Sequence, residues 1–177
     1  PLCHQALTLY EQVDGTEEYQ AHCLGNLATT LYNLGREGEA EPLYHQALAL
    51  YEQINGTEKN QANCLGNLAI TLRQLGRAAE AEPLYRHALA LFEQVDGTQK
   101  DQADCLGGIG RALRGLKRYE EALDNFRQAL EAYRQVEDTT RAQGLCLENT
   151  GNTLRRLGRY EEALASYRKA LELYRSQ

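Results

Sequence analysis

Apolar residues recur along the chain in two alternating helical rhythms. In the first, Leu24, Leu27, Ala28 and Leu31 stand at i, i+3, i+4 and i+7, the spacing that lines one face of a helix. In the second, Ala40, Tyr44, Ala47, Leu48 and Tyr51 form another such stripe. Turn signals separate the two. Asp14-Gly15-Thr16 supplies a turn and then a hydroxyl for a helix N-cap, and Asn55-Gly56-Thr57 and Asp96-Gly97-Thr98 repeat it. Thr139 or Thr140 takes that part in the last instance. Gly35, Gly76 and Gly158 follow the first stripe, where a left-handed residue closes a helix. Lys117 holds this place in the third instance, so its turn should be less relaxed. The pattern predicts a first helix from about Glu17 to Leu34 and a second from about Glu37 to Gln53. Pro42 and Pro83 fall near the start of second helices, where a missing N–H costs least and the first turn could shift or loosen.

The pair of helices returns every 41 residues. Cys23, Cys64, Cys105 and Cys146 are one period apart, as are Ala40, Ala81, Ala122 and Ala163. A fixed period of this length marks a stacked array in which each unit packs on its neighbours. The expected organisation is one array over 1–177, with helix-pair repeats at 14–54, 55–95, 96–136 and 137–177. A lone second helix at 1–13 precedes them, and a second helix from Ala165 to Arg175 closes the chain, nine helices in all. The chain has no Met and opens on Pro1, the repeat-equivalent of Pro42. That predicts a piece of a longer protein. The unpartnered helix at 1–13 predicts end-to-end self-association.

Small residues at Ala28, Ala40 and Ala47, with Leu24, Leu27, Leu31, Gly35 and Tyr44 between them, resemble the tetratricopeptide repeat. All four pairs carry the resemblance, and the long period is similar to the subtype of kinesin light chains and of many bacterial regulatory proteins. It implies an all-α fold, a right-handed α-solenoid of antiparallel helix pairs. It also implies a non-enzymatic scaffold whose first helices line a concave groove for extended peptides.

Comparing the copies separates a constant face from a variable one. The first helix varies at His22/Asn63, Thr29/Ile70, Tyr32/Arg73 and Asn33/Gln74, all on a single side. Later copies vary there too, with Asp104, Arg111 and Arg114, then Asn152, Arg155 and Arg156. Asn26, Asn67 and Asn149 share this side. In kinesin light-chain grooves asparagines at this place hydrogen-bond the ligand backbone, a role that suits an amide's donor and acceptor. The candidate peptide-binding residues are therefore His22, Asn26, Thr29, Asn33, Asn67, Ile70, Arg73, Gln74, Asp104, Arg111, Arg114, Asn149, Asn152, Arg155 and Arg156. The plainer reading is drift on a solvated face with amides bonded inside their own helices. Gly25, Gly66 and Gly107 also sit mid-helix here, each costing about 1 kcal/mol against Ala. Three equal losses imply a close approach, by a neighbouring helix or by a ligand backbone.

Charge sharpens the partner. Lys plus Arg is 19 and Asp plus Glu is 25, a net −6, which argues against nucleic acid or an anionic membrane. The variable face runs the other way, with Arg73, Arg114 and Arg155 one per copy and Arg111 and Arg156 beside them. Arginines so placed favour carboxylates, so the expected ligand is an acidic extended peptide, unless they pair internally with Asp104 or Glu148. A second reading is the sensor or autoinhibitory array of a larger bacterial regulator. RNA binding finds only Tyr32 as a stacking ring. No catalytic constellation, cofactor motif or metal-ligand spacing stands out, and no apolar run approaches the roughly 18 residues of a membrane span. The recurrent cysteines read as buried free thiols, which fits a reducing cytoplasm.

Overall fold

The computed structural model of the protein describes residues 15–175. It contains α1 (Glu17–Asn33), α2 (Glu37–Tyr51), α3 (Glu58–Gln74), α4 (Ala78–Phe92), α5 (Gln99–Gly115), α6 (Tyr119–Arg134), α7 (Thr140–Arg156) and α8 (Tyr160–Arg175). Contacts divide the chain into two compact units, Pro1–Val95 and Asp96–Gln177. Unit 1 holds α1 to α4 and unit 2 holds α5 to α8. The expected lone helix at 1–13 lies outside the described residues. The closing helix begins at Tyr160, five residues ahead of the expected Ala165, because it carries the same first turn as the other second helices.

The first helices end by the expected chemistry. Gly35, Gly76 and Gly158 have φ of 72, 80 and 76°. At the first of these, Arg36 N–H reaches back to the Leu31 carbonyl at 2.9 Å and Gly35 N–H to that of Tyr32 at 2.9 Å, so the orphan carbonyls are satisfied. Lys117 takes the left-handed conformation as well, with φ 62°, as the sequence requires of that turn. Each closing arginine then clasps a glutamate three residues on. Arg36 meets Glu39 at 2.7 Å, and Arg77 meets Glu80 at 2.6 Å. Arg77 also grips Glu41 at 2.8 Å, tying α4's start to α2.

The other turns correct an expectation. No threonine at the start of a first helix caps it through its side chain. The Thr57 hydroxyl turns backward and donates to the carbonyls of Tyr51 at 2.7 Å and Ile54 at 2.9 Å. Gln61 Nε2 braces the same hydroxyl at 3.1 Å. Thr139 and Gln143 do the same in unit 2, with Tyr133 and Val136 accepting. These threonines brace the turn that leaves the preceding helix, where the Tyr51 and Tyr133 carbonyls also accept the N–H groups of Ile54 and Val136, rather than the first N–H groups of their own helix. The prolines correct a second. α2 starts at Glu37 and α4 at the equivalent Ala78 despite Pro42 and Pro83 inside them. The carbonyls that lose a partner, at Gly38 and Ala79, are on exposed residues and can be served by water.

Alanines make the close contacts. In unit 1 Ala28, Ala40, Ala47 and Ala69 are fully buried, and Tyr44 fills the space beside them at 2% exposure. In unit 2 the place of Ala28 and Ala69 is taken by Gly110 and Gly151. A Cβ on Gly110 would meet the Phe126 ring at 2.6 Å, and one on Gly151 the Tyr167 ring at 2.6 Å. Gly144 likewise makes room for Tyr174 at 2.4 Å. Ala103, Ala129, Tyr133 and Cys146 form a buried cluster that joins α5, α6 and α7.

Candidate functional site

In unit 1 the variable side of α1 and α3 forms, against α2, a solvent-open pocket of about 150 Å³. Its tyrosines are held by the first helix. Tyr51 Oη lies 2.9 Å from His22 Nδ1, and Tyr44 Oη lies 3.0 Å from Thr29 Oγ1, which itself donates to the Gly25 carbonyl. The Cys64 thiol donates to the Tyr44 carbonyl at 3.3 Å. Around the rim stand Asn26, Asn60, Asn63 and Asn67. Their side-chain amides bond to nothing among the described residues. This sets them apart from Asn149, whose Nδ2 donates to the Leu145 carbonyl of its own helix at 2.8 Å.

Unit 2 uses the same positions differently. Asp104, at the place of His22, accepts from the Tyr133 hydroxyl and pairs with Lys100 at 2.8 Å. Asn152, at the place of Thr29, accepts from the Tyr167 hydroxyl at 2.9 Å. Arg114 donates to Asn149 Oδ1 at 2.8 Å and lies over the Phe126 ring at 6.0 Å. Arg155 and Arg156 are exposed at the end of α7. On the side of the second helices, Leu123, Leu130, Leu147 and Leu154 line a larger cavity of about 500 Å³ and lesser polarity.

The candidates therefore fall into three groups. His22, Asn26, Thr29 and Asn67 converge on the unit 1 cavity. Asp104, Arg114, Asn149 and Asn152 are committed to partners inside unit 2. Asn33, Gln74, Arg155 and Arg156 are exposed, and Ile70, Arg73 and Arg111 are partly so. Arg73 buries its Nε without a hydrogen-bond partner among the described residues. The arginines at equivalent positions are thus not equivalent cations. Sequence reasoning missed Asn60, and it placed Asn63 on the variable side but left it out of the candidate set. The signal was Phe92, which lacks the hydroxyl that Tyr51 and Tyr133 offer to His22 and Asp104, and so leaves Asn63 uncommitted.

Of the two close approaches expected at the mid-helix glycines, no neighbouring helix among the described residues makes the first. A Cβ on Gly25 or Gly66 would find nothing within 4 Å, and one on Gly107 only its own helix's Arg111 at 3.6 Å. The cysteines are as expected in burial: Cys64, Cys105 and Cys146 are buried free thiols, and Cys23 is half-buried. Burial pushes the thiols of Cys64 and Cys105 up to about 12 and that of Cys146 to about 11. No group of three or more His, Cys, Asp or Glu among the described residues could hold a metal ion. None of the described helices is long and apolar enough to cross a membrane.

The chain resembles known proteins in both sequence pattern and fold. The family profile described as tetratricopeptide repeat matches residues 19–94, 60–135 and 101–176. No curated protein matches the chain by sequence. Among solved structures, BtubC (BKLC) from P. vanneervenii is 22% identical, over 99% of this chain and 71% of that one, with a TM-score of 0.88. A putative kinesin light chain from Podosopora anserina, built of nearly identical TPR-like repeats, is 15% identical, over 97% of this chain and 83% of that one, at 0.81. Aspartyl phosphate phosphatase F from Bacillus subtilis is 14% identical at 0.85, over 98% of this chain but 45% of that one. At such identities the likeness is one of fold, an all-α helical-repeat solenoid. The three overlapping matches span residues 19–176, and the chain belongs to the tetratricopeptide repeat family, whose arrays mediate protein–protein interaction and are typically non-catalytic scaffolds.

Proposed function

We propose that the chain is an interaction scaffold that binds an extended peptide on the variable side of its first helices. The observation that carries this reading is the set of four uncommitted amides around the unit 1 cavity. Asn149 spends one N–H on its own helix and its oxygen on Arg114, which leaves it less to offer a ligand. Asn26 and Asn67 keep both donor and acceptor, which is what a peptide unit needs. Gly25 supports the same reading. It costs helix stability and no neighbouring side chain among the described residues requires it, so the space beside it suits a ligand backbone.

Preference for acidic peptides rests on unit 2, chiefly on the exposed Arg155 and Arg156. Arg114 contributes less, because its guanidinium is already engaged by Asn149 and the Phe126 ring. Exposed pairs contribute about 0–1 kcal/mol each. Binding should therefore be of micromolar order and weaken as salt rises. The test is a random-peptide selection on the full chain and on an Arg155→Glu/Arg156→Glu variant. Wild type should enrich Asp and Glu, and the variant should lose that bias. Peptides without acidic bias, or the same peptides on both proteins, would remove the acidic reading. A chain that selects no peptides would remove peptide binding altogether.

A further inference from the structure

The unit 1 cavity has a narrower chemistry than peptide binding demands. No Asp, Glu, Lys or Arg lines it. A charged ligand group would enter without a counter-charge, and an alkyl group would strip water from amides and hydroxyls without replacing it. Either outcome is costly. What fits is a neutral group that both donates and accepts. The size agrees. At about 150 Å³ the cavity holds roughly five waters at about 30 Å³ each, which is also the number of heavy atoms in a glutamine side chain.

We propose that the cavity between α1, α2 and α3 is a recognition pocket for a carboxamide side chain, glutamine or asparagine, of the bound peptide. The inference rests on the peptide-binding reading of the same face. The donor and acceptor pattern supports it. Thr29 gives its proton to the Gly25 carbonyl, so at its contact with Tyr44 the tyrosine is the donor. His22 Nε2 faces the Glu18 carboxylate at 3.6 Å, which favours the proton there and leaves Nδ1 to accept from Tyr51. Both tyrosine oxygens therefore keep lone pairs for a ligand NH₂. The ligand C=O meets the amide donors of Asn26 and Asn67. Unit 2 lacks this chemistry. At the six places held in unit 1 by His22, Asn26, Thr29, Asn60, Asn63 and Asn67 it has Asp104, Gly108, Arg111, Ala142, Leu145 and Asn149, so only the last is kept.

The experiment titrates the full chain with N-acetyl-glutamine methylamide and with its glutamate and norleucine counterparts. The readouts are the backbone resonance of Gly25 and the side-chain amides of Asn26, Asn63 and Asn67. The glutamine probe should shift these to saturation, with the other two about tenfold weaker or more. A Gly25→Leu variant, whose side chain starts in open space and should fold, fills the cavity and should abolish the shifts. Equal response to all three probes, no response to glutamine, or a response that survives Gly25→Leu overturns the pocket. The peptide selection separates the two readings. Selected peptides without Gln or Asn enrichment sink the pocket alone. A saturating glutamine response from a chain that selects no peptides sinks the extended-peptide reading alone.

Discussion

Glycine appears in the first helices for two opposite reasons, and single substitutions should tell them apart. Gly25 and Gly66 face open space, so Gly→Ala at either should stabilise the fold by about 0.5–1 kcal/mol through helix propensity. Gly110 lies under the fully buried Phe126 ring, so Gly110→Ala should overpack it and cost about 1–3 kcal/mol. Urea midpoints of the three variants check both signs. The sequence alone displayed the mid-helix glycines but not the distinction, since a missing Cβ looks the same whether a ring or a void replaces it. The thiols make a second prediction at this scale. Their ordinary value is 9.0, and the folded chain holds Cys64 and Cys105 at about 12. Above pH 9 the unfolded chain releases protons that the folded chain keeps, so stability should be complete below that pH and fall from there towards pH 12. The limiting slope is about 1.4 kcal/mol per pH unit for each thiol. Denaturation from pH 8 to 11 should show the decline, and Cys64→Ala/Cys105→Ala should lessen it, the remainder coming from Cys146 and the buried Tyr44, Tyr51 and Tyr133, which burial also raises.

Helices were legible because apolar spacing and glycine stops act locally, within one turn of the residues they govern. The threonines were misread because an N-cap and a backward hydroxyl bond need the same residue at the same place, and only the path of the preceding helix decides between them. The difference is testable at Thr57. A capping role would be served as well by Asp. A donor to the Tyr51 and Ile54 carbonyls cannot be, because a carboxylate only accepts. Thr57→Ser should be nearly neutral. Thr57→Val should cost about 1 kcal/mol by removing the hydroxyl's bonds, since the Tyr51 carbonyl keeps the Ile54 N–H and the Gln61 amide, and Thr57→Asp should cost more by setting a carboxylate against those carbonyls. Chemical denaturation of the three variants ranks them, and an Asp variant as stable as Ser would restore the capping role.

Across the whole chain the sequence revealed the period, the family and the face that varies. It could not say which variable residues were available. His22 meets Tyr51 and Asp104 meets Tyr133 across a pair, 29 residues apart, while Thr29 and Asn152 meet tyrosines 15 residues on. Those distant hydroxyls convert some candidates into internal struts and leave others, the unit 1 asparagines, uncommitted. The backward-turned threonines carry one last implication. A hydroxyl proton exposed to water exchanges too fast to be seen by magnetic resonance. Thr57 and Thr139 are buried, 3% exposed each, and their hydroxyls are bonded to carbonyls, so each proton should persist as a resolved resonance. One lies in each unit, which equips the molecule with a pair of built-in clocks. Their rates of exchange with deuterium, compared during gentle destabilisation, will report whether the two halves come apart in a single event or in succession.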